Sequence, residues 1–197
     1  MQTNRRVKTL TFMGIFIAVI VIQNYIPLLG YIPLGFFDIT IIQITVILAG
    51  ILLGPVSGGI IGGIWGLLDF IRAITFTSSV FGNIVMSNPI IAIVPRILIG
   101  VFAGIVFNFY QNKNKSKQFS STIAAIIGSL TNTILVLLFI YLFFKNGSTI
   151  YQAINFKKLV PFLLSIAFIH GIPELIFSAT IVPLIIKASR SNKIMNK

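Results

Sequence analysis

The chain has 197 residues, of which 56% are hydrophobic and 9% are charged, with a formal net charge of +12. This composition excludes an ordinary soluble domain and indicates an integral membrane protein. The alternation of polar and apolar residues that is typical of a membrane β-barrel is absent. We therefore expect an all-α polytopic membrane protein, with one bundle of six transmembrane helices over residues 1–197.

Six apolar segments approach the roughly 20 residues that a helix needs to cross a bilayer. Basic residues precede the first segment as in a signal peptide, but no small-x-small cleavage site follows, so we expect a retained helix. The last segment is long enough to tilt or kink, and Pro173 and Pro183 are its kink points. Predicted helices 1 to 6 span residues 9–28, 38–53, 55–73, 90–110, 121–144 and 159–187.

The third predicted helix carries a ridge of glycines at every fourth position, Gly54, Gly58, Gly62 and Gly66. Gly54 and Pro55 also separate it sharply from the second helix. A glycine ridge lets another helix approach backbone to backbone. We favour close packing inside one bundle, and a subunit-docking face is the alternative.

The segment between helices 3 and 4, residues 74–89, is long for a compact bundle and carries no charge. Loops of this length are usually lids, binding loops or disordered segments. Because it contains Phe76, Phe81, Asn83 and Asn88, we expect an ordered lid over a small-molecule pocket. Turn capping by the two asparagines is the alternative, especially for Asn88, which precedes a proline.

The basic residues divide unevenly between the two sides of a six-helix bundle. One side carries ten of them together with both termini, and the other carries three, so the positive-inside rule places both termini in the cytoplasm. The predicted lid then faces outward, and attraction to anionic lipid is a better explanation of the charge than a nucleic-acid partner. The ten are Arg5, Arg6, Lys8, Lys113, Lys115, Lys117, Lys187, Arg190, Lys193 and Lys197, and the three are Lys145, Lys157 and Lys158.

Two arginines lie away from these basic ends. Arg72 is three residues from Asp69 near the outer end of helix 3, so the two share a face and could form a structural pair or lid latch. Arg96 lies about two turns inside helix 4. A charge at that depth costs about 2.5–3.5 kcal/mol on insertion scales and is by default functional. Its planar guanidinium suits a carboxylate, so we expect it to bind an anionic ligand group.

Helix 6 supplies further polar groups. His170 and Glu174 are one turn apart and share a face near mid-membrane, and Asn132 of helix 5 lies at comparable depth. We predict that they line an outward-facing cavity with Arg96, although Arg96 and Glu174 could neutralise each other and His170 could be a packed core residue. The candidate substrate-binding residues are Arg96, Asn83, Asn88, Asn132, His170, Glu174, Asp69 and Arg72.

Signs of catalysis are lacking in the sequence. The Gly-x-Ser-x-Gly elbow, the His-Glu-x-x-His motif and the P-loop are all absent, and a chain with one histidine and no cysteine has no thiolate or multi-histidine metal centre. We therefore expect no enzyme and no metal or cofactor on this chain. A channel would show a selectivity ring or filter segment, and an inverted-repeat transporter would show an internal repeat.

Several motifs together resemble the S components of energy-coupling factor (ECF) vitamin transporters. One is the sequence Ile-Leu-Leu-Gly-Pro-Val-Ser-Gly at residues 51–58, between helices 2 and 3. Another is the pair Gly14 and Ala18, which is similar to the family's Ala-x-x-x-Ala docking motif except that glycine holds the first place. The pattern is most similar to the pantothenate-type S components, through residues 29–35 leading to 38–40, residues 81–83 and residues 94–101.

The resemblance implies a substrate-binding subunit that takes a vitamin from outside. It would dock through Gly14 and Ala18 on a membrane T subunit, with Gly62 and Gly66 as neighbours of that face, and topple. Two partner ATPases would use ATP, in the cell membrane of a Gram-positive bacterium. Pantothenate, a carboxylate with hydroxyls and an amide, suits Arg96, while riboflavin, folate and lipoate stay open.

Two other functions remain open from the residues alone. One is a stand-alone carrier for a small carboxylate, coupled to an ion through Glu174 and His170. The other is a structural or assembly membrane protein without a ligand. For the Gly14 and Ala18 face, packing within the bundle remains the alternative to docking.

Overall fold

The computed structural model describes residues 2–26, 28–34, 37–75, 80–144 and 159–191. The predicted loop with Lys145, Lys157 and Lys158, the tail with Lys193 and Lys197, and Phe76 lie outside these residues. The described part contains the helices α1 (Gln2–Tyr25), α2 (Ile42–Leu53), α3 (Pro55–Thr75), α4 (Val80–Met86), α5 (Pro89–Asn112), α6 (Lys117–Phe144), α7 (Leu159–Ile166) and α8 (Ile172–Ser191), the strands β1 (Tyr31–Leu34) and β2 (Phe37–Thr40), and a π-helical turn, Ala167–Gly171.

Five stretches within the described residues are helical, apolar and long enough to cross a membrane. They coincide with predicted helices 1, 3, 4, 5 and 6, which are confirmed as apolar helices of that length. The predicted count of six spans is not settled by them, because α2 has only 12 residues. The five stretches are Arg6–Tyr25, Pro55–Thr75, Pro89–Asn112, Lys117–Phe144 and Leu159–Ser189.

α2 lies at the centre of the bundle, and nearly all of its residues are buried. It packs against α1, α3, α5, α6 and α8. Gly54 ends it with a φ of 93°, a backbone conformation that favours glycine, and Pro55 opens α3 in the first turn, where its missing N–H costs nothing. The predicted break at Gly54-Pro55 is confirmed.

A short antiparallel β hairpin precedes α2. Tyr31 of β1 pairs with Thr40 of β2, and Pro33 lies opposite Asp38. The prediction that helix 2 begins at Asp38 was therefore wrong, and the all-α class needs this hairpin as an addition. Aromatic and β-branched residues on both sides of a turn favour strands, and a short apolar run does not by itself distinguish a strand from the start of a helix.

The glycine ridge of α3 packs directly on the backbone of α5. A Cβ atom added at Gly62 would overlap the carbonyl oxygen of Arg96, and one at Gly58 would lie 2.8 Å from the carbonyl oxygen of Gly100. Close packing within the bundle is thus the correct interpretation of the ridge. Gly62 and Gly66 are buried in this contact, so the expectation that they flank an exposed docking face was wrong.

We expect Gly62→Ala to lower the thermal stability of the purified chain, because its Cβ would force α3 and α5 apart. Overpacking of this kind typically costs about 1–3 kcal/mol. Melting in detergent, followed by tryptophan fluorescence, measures the effect. Gly14→Ala is the matched control, since a Cβ added at Gly14 meets none of the described atoms within 4 Å. Equal melting temperatures for the two variants would contradict the packing described here.

The last membrane helix is interrupted where the sequence places a proline. α7 passes through the π-helical turn into α8, whose second residue is Pro173. Proline cannot donate the regular i→i−4 hydrogen bond, and its ring clashes with the preceding turn of an α-helix. A π-helical turn before the proline is wider, so it accommodates the ring and the missing hydrogen bond. The predicted kink point thus coincides with a local change of helix type, and His170 lies within it.

Candidate functional site

A cavity opens between the hairpin, α4, α5, α6 and the last membrane helix. Its volume is about 70 Å³, which exceeds the roughly 10–15 Å³ that one water molecule needs but is smaller than a typical ligand site. A vitamin-sized ligand therefore requires flexible wall residues such as Met86 to move aside. The cavity is lined by Thr40, Met86, Arg96, Asn132, Thr133, Val136, Leu137, Ile140, Ile166, His170, Gly171 and Glu174.

Arg96 is held from several directions but keeps one donor unused. Its Nη2 lies 3.1 Å from Oδ2 of Asp69 and its Nη1 lies 3.2 Å from the carbonyl oxygen of Ile91. The guanidinium carbon lies 5.0 Å from the centre of the Trp65 ring, within the range of a cation–π interaction. The buried Nε has no hydrogen-bond partner in the described part of the chain. A fixed cation with one unpaired donor atom therefore belongs to the cavity lining.

The pairing of charges differs from the predicted one. Asp69 pairs with Arg96, and Arg72 instead stacks its guanidinium over the Tyr31 ring at 4.2 Å. The predicted Asp69–Arg72 pair was therefore wrong, and the direct ion pair of Arg96 is with Asp69 and not with Glu174 among the residues described. Pairing Asp69 with Arg96 compensates two charges that are both nearly inaccessible to solvent, and an unpaired buried charge would be far more costly.

Asp69 is itself held by a network that reaches α1. The Tyr31 hydroxyl donates to Oδ1 of Asp69, and it accepts from Nδ2 of Asn24 at 3.0 Å and from Nε1 of Trp65 at 3.1 Å. Burial, and then the neighbouring Asp69 carboxylate, raises the pKa of Tyr31 well above its ordinary value. The hydroxyl therefore stays protonated and continues to donate, which keeps Asp69 oriented toward Arg96.

The opposite lining of the cavity combines an amide, an imidazole and a carboxyl group. Glu174 accepts through Oε1 from the backbone N–H of Thr40 at 2.7 Å, which ties the end of the hairpin to α8. Asn132 donates through Nδ2 to Oε1 of Gln43 at 3.4 Å, while its buried Oδ1 has no partner among the residues described. His170 is buried in the π-helical turn and lines the same cavity.

This arrangement suits a small amphiphilic acid. The Nε of Arg96 can donate to a ligand carboxylate, and Oδ1 of Asn132 can accept from a ligand hydroxyl or amide N–H. Apolar side chains such as Val136, Leu137 and Ile140 cover the same cavity and suit a hydrocarbon part. A buried site with a few placed polar groups and an otherwise apolar wall is the usual form of a small-molecule site.

The two predicted lid asparagines lie outside this lining. Asn88 caps α5, and its Oδ1 accepts from the backbone N–H of Ile90 at 3.0 Å. Asn83 lies in the short helix α4, where its carbonyl oxygen accepts from both the backbone N–H and the hydroxyl of Ser87. The predicted lid reaches the cavity through Met86 of α4, whose sulfur accepts from Arg96.

Of the eight predicted substrate-binding residues, Arg96, Asn132, His170 and Glu174 line the cavity together. That they contact substrate stays a prediction. Several residues of the site were not foreseen. Gln43, which lies outside the cavity lining but contacts Asn132, stands out in the sequence as a lone amide within an apolar run, a signal that could have been used. Thr40, Thr133 and Gly171, which do line the cavity, carry no comparable signal.

The predicted docking residues lie on α1, of whose membrane-spanning window only 11% is buried. Gly14 and Ala18 are both exposed, and no atom of the described residues lies within 4 Å of a Cβ added at Gly14. Packing against the part of the chain that the structure describes therefore does not explain the small residues at these positions. Their contact with a partner stays a prediction.

Comparisons with known proteins agree with one another. The family model of the substrate-specific component of ECF transporters matches residues 8–186. The pantothenate transporter PanT of Leuconostoc mesenteroides is 37% identical over 182 residues, which cover 89% of this chain and 88% of that protein. The pantothenic acid transporter PanT of Lactococcus lactis is 30% identical over 165 residues, covering 78% and 80%. The solved structure of ThiT from Listeria monocytogenes has a TM-score of 0.67 at 22% identity, covering 95% of this chain and 97% of that one, which shows a common fold.

Proposed function

This chain belongs to the family of substrate-specific components of ECF transporters, and we propose that it binds pantothenate from outside the cell for uptake. The relatives that carry the pantothenate name match most of its length. The observation that carries the proposal is the pair of unused buried atoms at one cavity, the donor Nε of Arg96 and the acceptor Oδ1 of Asn132.

Pantothenate has the groups that these atoms require. Its carboxylate accepts from Nε of Arg96, and a hydroxyl or the amide N–H donates to Oδ1 of Asn132. A carboxyl group such as that of Glu174 pairs with a hydroxyl more readily than with a second carboxylate, which favours the orientation in which the hydroxyl end lies beside Glu174. The geminal methyl groups pack on the apolar wall. Asp69 already compensates the charge of Arg96. The binding free energy of the ligand carboxylate therefore comes mainly from its hydrogen bonds, which are stronger where little water is present.

The transport cycle that we propose uses partner chains. In the topology that we propose, the chain has six spans with both termini in the cytoplasm, so the hairpin and α4 face outward. Arg96 lies about two turns from the outer end of α5, so the cavity lies toward the same side. The exposed face of α1 docks on a membrane T subunit, and the chain topples to deliver its ligand while partner ATPases hydrolyse ATP. The Gram-positive origin of both curated relatives supports the cell membrane of such a bacterium as its location.

We expect the purified chain to bind pantothenate in detergent without ATP, as measured by isothermal titration calorimetry. Pantothenol, in which a hydroxymethyl group replaces the carboxylate, is the matched control ligand. It should bind at least tenfold more weakly, because it lacks the anion for Arg96. Riboflavin, folate and lipoate should fail to compete.

Tight binding of one of those vitamins and none of pantothenate would contradict the proposed substrate. Uptake by this chain alone into ATP-free vesicles, driven by a proton or sodium gradient, would contradict the proposed partnership. That second outcome would instead favour an ion-coupled carrier.

A further inference from the structure

Gln43 is a fully buried amide in the middle of α2, in contact with polar atoms of α6 and α8. Its Nε2 lies 3.3 Å from the hydroxyl of Ser178, 3.5 Å from that of Ser129 and 3.5 Å from the carbonyl oxygen of Glu174. Its Oε1 lies 3.4 Å from Nδ2 of Asn132. Gln43 does not line the cavity.

These contacts determine which end of each amide points where. A hydroxyl can donate or accept, but the Glu174 carbonyl oxygen can only accept, so the end of Gln43 that faces it must be the NH₂ group. The oxygen of Gln43 then faces Asn132, and an oxygen can only accept. Asn132 must therefore turn its own NH₂ group toward Gln43 and keep its oxygen, Oδ1, on the other side.

We propose that Gln43 is a positioning residue that makes the cavity select a ligand carrying a hydrogen-bond donor opposite Asn132. The inference rests on the proposed function and deepens it. A free asparagine could rotate by half a turn and present either a donor or an acceptor. The NH₂ group of Asn132 also faces the Glu174 carboxyl group. With Gln43 in place, Oδ1 is the unpaired end of the amide, and a ligand without a donor leaves that buried acceptor unpaired.

Three pantothenate analogues test the selection, because each replaces one donor by a group of similar size that cannot donate. In two of them fluorine replaces one of the hydroxyls, and in the third an ester oxygen replaces the amide N–H. With the unaltered chain, one analogue should bind at least tenfold more weakly than pantothenate, which corresponds to about 1.4 kcal/mol. A loss below tenfold for all three would overturn the inference.

Gln43→Met keeps the side-chain size and removes the amide that orients Asn132. For the analogue identified above, the ratio of its dissociation constant to that of pantothenate should fall to threefold or less, because Asn132 loses the Gln43 oxygen that fixes its NH₂ group and its amide can rotate more readily. A purely structural role of Gln43 would weaken both ligands equally and leave the ratio unchanged, which would overturn the inference. Absence of pantothenate binding to the unaltered chain would instead contradict the proposed function, and the inference with it.

The chain offers a matched control and a milder variant. Gln23→Met makes the same substitution at a glutamine that accepts from Thr45 at 2.8 Å and has no contact with Asn132, so the ratio should stay at tenfold or more. Ser178→Ala, which should fold even if Gln43→Met does not, removes one acceptor of Gln43 and should lower the ratio by a smaller factor. An unchanged ratio in Ser178→Ala, with pantothenate still bound, would count against the inference.

Discussion

Arg96→Ala is expected to weaken pantothenate binding by at least tenfold, or about 1.4 kcal/mol. The substitution removes the cationic donor Nε that lies unused at the cavity. A charge-assisted hydrogen bond in a water-poor site is among the stronger polar contacts that a ligand can make. Titration calorimetry with the purified variant measures the change, and an unchanged dissociation constant would remove Arg96 from the site.

The stability of the variant must be separated from its affinity. Removing Arg96 leaves Asp69 as an uncompensated buried charge, and breaking a buried pair in this way typically costs about 3–5 kcal/mol. The double variant Asp69→Asn with Arg96→Gln has no such charge. It should melt closer to the unaltered chain and still lose at least tenfold in affinity. A double variant that binds normally would show that the loss in Arg96→Ala is a folding effect.

Two further single substitutions sharpen the test. Asp69→Asn leaves the guanidinium without its counter-charge, so the ligand carboxylate supplies it and the affinity should rise while the unliganded chain becomes less stable. Arg72→Ala removes an arginine that stacks on Tyr31 outside the cavity lining. It should change the affinity by less than about threefold, well below the tenfold loss, or about 1.4 kcal/mol, that is expected of Arg96→Ala. An Arg72→Ala effect as large as that of Arg96→Ala would contradict the assignment of Arg96.

The grouping of Arg96, Asn132, His170 and Glu174 around one cavity could be predicted because each is a polar residue at depth in an apolar segment. Such residues avoid lipid and must turn inward, so depth alone brings them together. Their partners could not be predicted in the same way. Helical spacing places Asp69 and Arg72 on one face. The distance from Asp69 to α5, however, depends on how closely the glycine ridge lets α3 approach α5, and the spacing of residues within one helix does not predict that approach.

The hairpin illustrates a second limit. The residues of β2, Phe37–Thr40, directly precede an apolar helix and are partly apolar themselves, so they fit the beginning of that helix as well as a strand. Their strand pairing depends on contacts that are far away in sequence, including the hydrogen bond from Thr40 to Glu174. The same contact brings Thr40 into the cavity lining, where no local motif would have placed it.

Gly14→Trp is expected to leave pantothenate binding intact and to reduce uptake to the background of cells that lack the protein. The position is exposed on α1, and no atom of the described residues lies within 4 Å of a Cβ added there, so this part of the chain leaves room for the larger side chain. A partner helix that approaches closely over Gly14 and Ala18 does not have that room, because small residues are what allow two backbones to approach in lipid. Uptake of labelled pantothenate in cells that express the partner subunits measures the effect.

A control with the same new side chain separates docking from a general effect of a bulky residue in lipid. Ile105 is 49% exposed on α5, so Ile105→Trp adds tryptophan to a different lipid-facing helix and should leave both binding and uptake unchanged. Ala18→Trp should reproduce the Gly14→Trp result, because the two residues are one turn apart on the same face. Full uptake with Gly14→Trp, or an equal loss with Ile105→Trp, would show that the docking surface is not this face of α1. Since binding is measured on the isolated chain and uptake on the assembled transporter, a loss confined to uptake places the defect at the partner contact and leaves the ligand site intact.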